Sequence, residues 1–375
     1  MKIAIEGQRL FRKKKHGMDF VALELVKNLQ HIDLKNEYYV FVKPDEDKCL
    51  EDSSNFHIIE LPGKTYPYWE QAALSKAVKK YGCDLLHCTS NTAPVNLDIP
   101  LVVTVHDIIY LESVSIFKKG GTAYQKFGNL YRRWNVPRVI KNAKYVITVS
   151  KFEKSTIDRR FPDYAYKIVP VYNGVSEHFK PVTDKEILAK IRKKYNLPEE
   201  FIFFLGNTDP KKNTRNVLKA FATYVNQSLA PLPLVLIDFG KDNLLKMLRE
   251  IGAPALIEHI RISGYISNTD LPAIYSLSSL FLYPSLRESF GIPLLEGMRC
   301  GVPVISSNTS SMPEIGGDGA MLIDPYHPEQ ISDAMSEILS NHTLRKEMTQ
   351  KGFERAAAFS WENMAKQVLE LYKNI

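Results

Sequence analysis

Short apolar runs alternate with longer amphipathic stretches along the chain, and this pattern predicts strands separated by helices. The runs are rich in Val and Ile and lack strict polar alternation, which is typical of parallel strands covered on both faces. The runs in the first half are Ile3–Ile5, Tyr38–Val42, Leu85–His87, Leu101–Val105 and Tyr145–Val149. After residue 180 the pattern restarts, with the runs Phe201–Leu205, Leu234–Ile237, Ile260–Ile262, Leu280–Tyr283 and Val302–Ser306.

Two such series predict an α/β protein with two Rossmann-like, doubly wound domains. The changeover lies near Tyr172-Asn173-Gly174-Val175, so we place the first domain at residues 1–178 and the second at residues 179–360. A length of 375 residues suits two domains of ordinary size. Because ligands bind at the carboxyl ends of strands in open sheets, two facing domains predict a cleft between them.

The composition excludes several classes of protein. Hydrophobic residues make up 45% of the chain and charged residues 24%, which argues for a globular fold rather than intrinsic disorder. No run approaches the roughly 18 apolar residues of a membrane span. The first residues, MKIAIEG, reach Glu6 too early for a signal peptide. We therefore expect a cytoplasmic protein whose four cysteines are reduced thiols.

The positive charge is concentrated in the first half. Residues 1–180 contain 28 Lys and Arg against 20 Asp and Glu, whereas the remainder is nearly balanced. This excess predicts an anionic partner such as phosphate groups or anionic lipid, although solvated charge on helix faces is the alternative. Nucleic acid is disfavoured, because no helix-turn-helix, zinc-finger or RNA-binding signature is present.

Common cofactor and metal motifs are missing or poorly placed. No G-x-G-x-x-G follows the first predicted strand, which disfavours a nicotinamide-dependent oxidoreductase. Asp45-Glu46-Asp47 matches the D-x-D form of metal-dependent sugar transferases, but its acidic loop context favours solvated surface. We expect no metal site and no resident cofactor.

The most informative stretch runs from Arg287 to Met298, between a predicted strand and an apolar helix. Gly291 permits close backbone approach, and Pro293 suits a first helical turn. The resulting helix amino end offers N–H groups and a positive dipole to an anion, best of all to a diphosphate. Glu288 lies ahead of the helix, where it can accept hydrogen bonds from hydroxyl groups, and Glu296 can reach a second diol.

This stretch resembles retaining glycosyltransferases of family 4, which have the GT-B fold. The E-x7-E signature runs from Glu288 to Glu296. Similar features follow it, namely Gly301-Val302-Pro303-Val304-Ile305-Ser306, Asn308, Ser310-Ser311, Pro313-Glu314 and Asp324-Pro325. The resemblance implies that a final helix, residues 361–375, crosses back onto the first domain.

The resemblance also implies roles for residues in other loops. Lys212 takes the position of the family lysine that neutralises the donor diphosphate, with Asn207 and Lys211 in the same loop. His106 ends the Leu101–Val105 strand, where a family histidine contacts the donor sugar. The first loop contains Gly17, and the segment with Tyr265 resembles the one that stacks on the nucleobase.

Together these comparisons of motifs define a candidate site. The implied catalytic residues are His106, Lys212 and Glu288. The implied donor-binding residues are Gly17, Asn207, Lys211, Lys212, Tyr265, Ser289, Phe290, Gly291, Ile292, Leu295 and Glu296.

The predicted reaction is metal-independent transfer of a hexosyl group from a nucleotide sugar, with retention of configuration. GDP-mannose is the first choice of donor, and UDP-glucose and UDP-N-acetylglucosamine are the alternatives. The acceptor is expected to be a saccharide or lipid-linked saccharide of surface polysaccharide biosynthesis. Two other classes are a catalytically silent GT-B binding module and a sugar-nucleotide epimerase, both disfavoured by the intact motifs.

One stretch of the basic half suggests contact with a membrane. Phe127, Leu130, Tyr131 and Trp134 recur at helical spacing beside three arginines. Such a helix is expected to lie on an anionic lipid surface at the inner face of the cell membrane, unless the aromatics pack into the domain core.

Overall fold

The structure, a computed structural model, describes residues 1–112, 123–237 and 239–375. In these residues the predicted α/β class with two doubly wound parallel sheets is confirmed. The chain forms two compact units, one of Met1–Gly174 with Trp361–Ile375 and the other of Val175–Ser360.

The sheet of the first unit is parallel throughout. Its strands are β1 (Lys2–Glu6), β2 (Glu37–Val42), β3 (Phe56–Glu60), β4 (Leu85–Cys88), β5 (Leu101–Thr104), β6 (Tyr145–Thr148) and β7 (Ile168–Pro170). They lie in the order β3-β2-β1-β4-β5-β6-β7. The order reverses direction at β1, so the loops after β1 and β4 meet at the switch point where open sheets bind ligands.

The sheet of the second unit has the same character. Its strands are β8 (Ile202–Phe204), β9 (Leu234–Leu236), β10 (Ile260–Ile262), β11 (Leu280–Tyr283), β12 (Val304–Ser307) and β13 (Met321–Ile323). They lie in the order β10-β9-β8-β11-β12-β13, so β8 and β11 flank this sheet's switch point.

Helices connect most of the strands, whereas loops alone connect β2 to β3 and β4 to β5. In the first unit they are α1 (Gly17–Ile32), α2 (Tyr66–Tyr68), α3 (Ser75–Lys80), α4 (Ile109–Glu112), α5 (Ala123–Asn142) and α6 (Lys151–Arg160). In the second unit they are α7 (Lys185–Lys194), α8 (Thr214–Gln227), α9 (Lys241–Glu250), α10 (Leu271–Leu277), α11 (Ile292–Arg299), α12 (Met312–Gly316), α13 (Pro328–Ser340) and α14 (His342–Ala357). Helix α15 (Trp361–Lys373) ends the chain within the first unit.

Three strands were not predicted from the apolar runs. β3 lies at a sheet edge and has a half-buried Phe-His-Ile-Ile-Glu pattern, which weakens the signal of a buried strand. β7 and β13 also lie at sheet edges, and only one residue of each is fully buried, which weakens the same signal.

Helix α15 contributes to the interior of the first unit, where it packs against α1. Tyr372 is fully buried, and its hydroxyl lies 2.6 Å from Nδ1 of His87. The other ring nitrogen of His87 lies 2.9 Å from the Thr104 hydroxyl. Burial lowers the pKa of His87 to about 3, so this histidine is neutral and acts as a structural hydrogen-bonding group between β4, β5 and α15.

Cys83, Cys88 and Cys300 are buried free thiols, and Cys49 is a half-buried one. Across the described ranges, every helix is too short or too polar to cross a bilayer.

Candidate active site

The amino end of α11 is built by a glycine that no other residue could replace without strain. Gly291 has a φ of +96°, and a Cβ atom there would lie 2.4 Å from Cε of Met312. Helix α11 follows directly, with Pro293 in its first turn. The cap residue Gly291 has no side chain to accept hydrogen bonds from this first turn, which leaves the helix end suited to an anionic ligand.

Serine hydroxyls hold the loop that leads into α11. The Glu288 N–H donates to Oγ of Ser310 at 3.1 Å. Ser311 Oγ donates to the carbonyl oxygens of Glu288 at 3.0 Å and Phe290 at 3.1 Å. The Ser310-Ser311 pair, identified in the sequence only as a family feature, therefore positions the backbone on both sides of Ser289.

Glu288 and Lys212 form a direct ion pair. Nζ of Lys212 lies 2.6 Å from Oε1 of Glu288 and 3.3 Å from the Tyr283 hydroxyl, with the Tyr283 ring centroid at 5.0 Å. The two charged side chains are only 18% and 14% exposed, so solvent screens their attraction weakly. The structure thus brings together two predicted catalytic residues that are 76 positions apart in the sequence.

The loop that carries Lys212 is held by Asn213. Asn213 has a φ of +62°, a conformation that Asn adopts more readily than most residues. Its Nδ2 donates to the carbonyl oxygens of Pro284 at 3.1 Å and Pro325 at 2.7 Å, which lie just beyond β11 and β13. The carbonyl oxygen of Lys211 also accepts from the Leu286 N–H at 2.7 Å. Three hydrogen bonds therefore hold the loop of Lys212, and two of them join it to the loop of Glu288.

Lys211 and Asn207 lie in the same loop as Lys212, but their side chains are exposed. The ammonium of Lys211 is exposed and lies 3.6 Å from the Asp209 carboxylate. Asn207 is exposed, and its Oδ1 accepts from the Asp209 N–H at 2.8 Å. Gly206 has no room for a side chain, because a Cβ would lie 2.3 Å from Cε1 of Phe204.

Glu296 lies in the second turn of α11, where its carboxyl group is largely removed from solvent. Burial raises the pKa of Glu296 to about 7, and the hydrogen bond from the Tyr275 hydroxyl, at 3.2 Å, acts in the opposite direction. Glu296 is therefore divided between its charged and neutral forms near neutral pH. A carboxylate in such a position accepts hydrogen bonds from a diol when ionised.

The remaining predicted residues of the second unit differ in exposure. Tyr265 is 70% exposed and follows Gly264, whose φ is +73°. Phe290 is buried with its ring 5.8 Å from that of Phe359. The Leu295 side chain is fully buried in the interior, whereas Ser289 and Ile292 are half-buried.

His106 and Gly17 belong to the first unit. The His106 ring is buried, and its Nε2 lies 3.0 Å from the Thr89 carbonyl oxygen. Because a carbonyl oxygen only accepts, Nε2 carries the proton and Nδ1 of the neutral ring is an acceptor. Burial lowers the pKa of His106, which favours this neutral form. Gly17 is the exposed first residue of α1, where a Cβ would contact nothing.

The acidic Asp45-Glu46-Asp47 loop pairs with lysines. Glu46 lies 2.9 Å from Nζ of Lys13, and Asp47 pairs with Lys15. Within the described ranges no three His, Cys, Asp or Glu side chains are grouped so as to hold a metal ion.

Comparison with known proteins places this site in a family. Residues 188–355 match the family described as "Glycosyl transferases group 1", and residues 16–179 match "Glycosyltransferase Family 4". The O-antigen chain mannosyltransferase B of Escherichia coli is 32% identical over 72% of this chain and 70% of its own length. The chain is a group 1 glycosyltransferase of the family 4 type. The predicted family and enzyme class are confirmed.

Two further similarities extend this result. The serotype-specific mannosyltransferase WbdA of Escherichia coli is 30% identical over 54% of this chain, which spans a quarter of WbdA. The crystal structure of Anabaena Alr3699/HepE in complex with UDP and glucose matches the whole glycosyltransferase chain with a TM-score of 0.74 at 18% identity, covering 100% of both chains. This likeness confirms the GT-B fold.

The raised pKa of Glu296 predicts that Glu296→Gln stabilises the enzyme more at pH 8 than at pH 5. The folded chain binds the Glu296 proton more tightly than the unfolded chain, so this contribution to stability is full below pH 4.5 and is lost as the pH rises through 7. The neutral Gln side chain loses no stability over this pH range. The free energy of unfolding of Glu296→Gln therefore gains on that of the wild type as the pH rises, by up to about 3 kcal/mol for a shift of roughly two to three pKa units. Urea unfolding at pH 5 and pH 8 measures this difference in the free energy of unfolding between wild type and variant.

The matched control is Glu347→Gln, which changes an exposed carboxylate of α14. The control is expected to shift the urea midpoint equally at the two pH values. A pH-independent difference between wild type and Glu296→Gln would contradict the assignment of a raised pKa to Glu296.

Proposed function

We propose that this glycosyltransferase transfers a mannosyl group from GDP-mannose to a saccharide or lipid-linked saccharide acceptor of surface polysaccharide biosynthesis. The observation that carries the proposal is the Lys212–Glu288 ion pair immediately ahead of the open amino end of α11. The choice of mannose is supported by the names of two relatives, which are mannosyltransferases of Escherichia coli.

Each part of the donor has a chemically suitable partner. The diphosphate would accept hydrogen bonds from the N–H groups of α11 and from Lys212, which meets negative charge with a dipole and a cation. Sugar hydroxyls would donate to Glu288, and ribose hydroxyls would donate to Glu296. The exposed ring of Tyr265 offers a face on which the base would stack.

The ion pair also suggests how the leaving charge is stabilised. Lys212 is held 2.6 Å from Glu288, so it can share its three N–H donors between that carboxylate and a phosphate oxygen. As the bond from the sugar to the diphosphate breaks, charge grows on that phosphate, and a preorganised cation stabilises the transition state. This positive charge is of the kind that a metal ion would otherwise supply, so the proposed reaction requires none.

The remaining proposed steps concern the acceptor proton and the sugar. The departing phosphate would take the proton of the attacking hydroxyl on the same face of the sugar, which gives retention of configuration. The acceptor nitrogen Nδ1 of His106 would hydrogen-bond a hydroxyl of the transferred sugar.

The proposed donor is tested by incubating the full chain with GDP-mannose, UDP-glucose or UDP-N-acetylglucosamine and a mannoside acceptor, all in EDTA. We expect transfer from GDP-mannose, with the α-anomer of the donor kept in the product as read by NMR. Transfer from a UDP-sugar alone would replace the donor assignment. Activity that requires added manganese or magnesium would contradict the metal-free mechanism, and hydrolysis or binding without transfer would favour a silent module.

The ion pair predicts different effects for its two members. Glu288→Gln is expected to abolish transfer yet leave GDP affinity equal or higher, because the Lys212 ammonium loses a competing carboxylate. Lys212→Ala is expected to weaken GDP binding about tenfold to hundredfold and to slow turnover, since it removes a charge-assisted phosphate contact. Calorimetry with GDP and steady-state kinetics measure the two effects.

Lys219→Ala is the matched control, because Lys219 is an exposed lysine on α8 in the same unit. It is expected to leave GDP affinity and turnover unchanged. Equal loss of GDP affinity in Glu288→Gln and Lys212→Ala would show that Glu288 meets the phosphates rather than the sugar.

We also propose that α5 contacts an anionic lipid surface at the inner face of the cell membrane. Phe127, Leu130 and Trp134 are 58%, 59% and 44% exposed, so these side chains are outside the core. These three side chains form an exposed apolar stripe on α5. The guanidinium of Arg138 lies 4.9 Å from the Trp134 ring centroid, which puts positive charge beside this stripe. Tyr131 differs, because its hydroxyl donates to the buried carboxylate of Glu70.

The lipid proposal predicts salt-reversible co-sedimentation of the full chain with phosphatidylglycerol vesicles. Leu130→Gln combined with Trp134→Gln is expected to reduce the pelleted fraction several-fold, because it removes the apolar contact. The control is Leu34→Gln, which alters a leucine of the same unit that is 78% exposed outside α5. Absence of pelleting at low salt, or equal pelleting of the α5 variant, would refute membrane contact through α5.

A further inference from the structure

The first unit contains a cavity of about 890 Å³ that is lined by an excess of positive charge. Among the described residues at its surface, five are cationic and one is a carboxylate, Asp45. The five are Arg9, Arg12, Lys43, Lys64 and Arg132. Like charges that converge without partners repel one another, so this arrangement indicates an anionic ligand.

The cations at the cavity are not neutralised by the acids nearby. In the described part of the chain none of the five belongs to an ion pair, whereas Glu46 and Asp47 pair with Lys13 and Lys15 outside the cavity. Nε of Arg9 is buried and has no hydrogen-bond partner among the described residues. The Arg9 guanidinium lies 5.4 Å from the Tyr66 ring centroid, which holds it at the cavity surface.

A buried carboxylate organises the hydroxyl groups on another side of the cavity. Glu70 is fully buried and accepts from Tyr131 at 2.5 Å, from Thr92 at 2.5 Å and from Tyr66 at 2.8 Å. These three donors all line the cavity. Burial raises the pKa of Glu70 to about 6, so it is mainly ionised at neutral pH and takes the three hydroxyl protons. The Tyr131 oxygen already accepts from Nε2 of Gln71 at 2.7 Å, so the oxygens of Tyr66 and Thr92, which lie 2.7 Å apart, are the ones left to accept from the O–H groups of a saccharide.

We propose that this cavity binds the acceptor of the transfer reaction, and that this acceptor is a saccharide carrying a phosphate or diphosphate. The inference rests on the proposed function, which already gives the donor diphosphate its partners in the second unit. The cations bind the phosphate oxygens and the tyrosine and threonine oxygens bind sugar hydroxyls. A volume of about 890 Å³ holds a small ligand rather than a bilayer or a macromolecule.

The phosphate has two possible sources, a free sugar phosphate or a lipid-linked diphosphate saccharide. Phe127 lines the cavity and also begins the exposed apolar stripe of α5, together with Leu130 and Trp134. A lipid chain attached to the diphosphate would therefore leave the cavity along an apolar surface. The shared chemistry is the phosphate group, and separate ligands distinguish the two sources.

The test compares the affinity of the full chain for two ligands, octyl mannoside and mannose joined to octanol through a diphosphate. We expect calorimetry to show at least tenfold tighter binding of the diphosphate compound by the wild type. Arg9→Gln combined with Lys43→Gln is expected to reduce that affinity tenfold or more and to change octyl mannoside affinity less than twofold. Lys14→Gln, an exposed lysine of the same loop outside the cavity, is the matched control and is expected to behave as wild type.

A second variant keeps the test decisive if the double variant unfolds, as checked by circular dichroism. Lys64 is exposed at the cavity surface, so Lys64→Gln leaves the fold intact and is expected to lower diphosphate affinity several-fold. Mannose 1-phosphate replaces the octyl compound in a parallel titration. Binding with the same dependence on Arg9 and Lys43 supports a free sugar phosphate, and a large excess of affinity for the octyl diphosphate supports a lipid-linked acceptor.

Two results would overturn the inference. These are equal affinity of the wild type for the two octyl ligands, and equal losses on both ligands in the double variant. A GDP titration of the same preparations separates this failure from that of the proposed function. Intact GDP binding with no effect of the cavity variants refutes the phosphorylated acceptor alone, whereas loss of GDP binding in the wild type refutes the proposed donor.

Discussion

The parallel direction of every described strand pair is the constraint on which both candidate sites depend. Parallel neighbours cannot be joined by tight hairpins, so the chain must return to the opposite edge of the sheet before the next strand begins, through a helix in most cases and through a long loop after β2 and β4. All loops at the carboxyl edge are therefore adjacent, although they are distant in the sequence. In the second unit this adjacency lets one amide, that of Asn213, bond to loops beyond both β11 and β13.

The same edge explains why opposite charges are close to one another. Lys212 follows β8 and Glu288 follows β11, and these two strands are hydrogen-bonded neighbours. A partly buried pair of this kind contributes little net stability, because desolvation offsets most of the attraction. The pair instead holds the two side chains in place, since the loss of either partner would leave an unpaired charge in a poorly solvated position. The pair thus fixes a cation and a carboxylate at a set separation before any substrate arrives.

The sequence was sufficient to predict elements whose signal is local. The E-x7-E stretch contains its own glycine, proline and carboxylates, so the strand, turn and helix around Glu288 follow from neighbouring residues. Long buried runs such as Leu101–Thr104 are recognised for the same reason. Edge strands β3, β7 and β13 were missed because most of their residues are only partly buried, and their position depends on pairing rather than on composition.

The features that could not be predicted depend on residues far apart in the chain. Glu70 belongs to no motif, and its hydrogen bond to Tyr131 joins positions 61 residues apart. Tyr131 shares helical spacing with Phe127 and Trp134, which suggested that all three face outward. The structure corrects this for Tyr131, because a phenolic hydroxyl next to a buried carboxylate is stabilised by donating to it, and the spacing alone cannot reveal that carboxylate.

The return of α15 to the first unit has a consequence for biosynthesis. Helix α15 follows the whole second unit along the chain, yet Tyr372 fills the interior of the first unit against His87. A ribosome makes the chain from its amino end, and domains usually fold in the order in which they emerge. The second unit is translated in full before α15, so α1 and His87 are made long before the helix that packs against them. The unit that is translated first therefore completes its fold only after the last helix has been made.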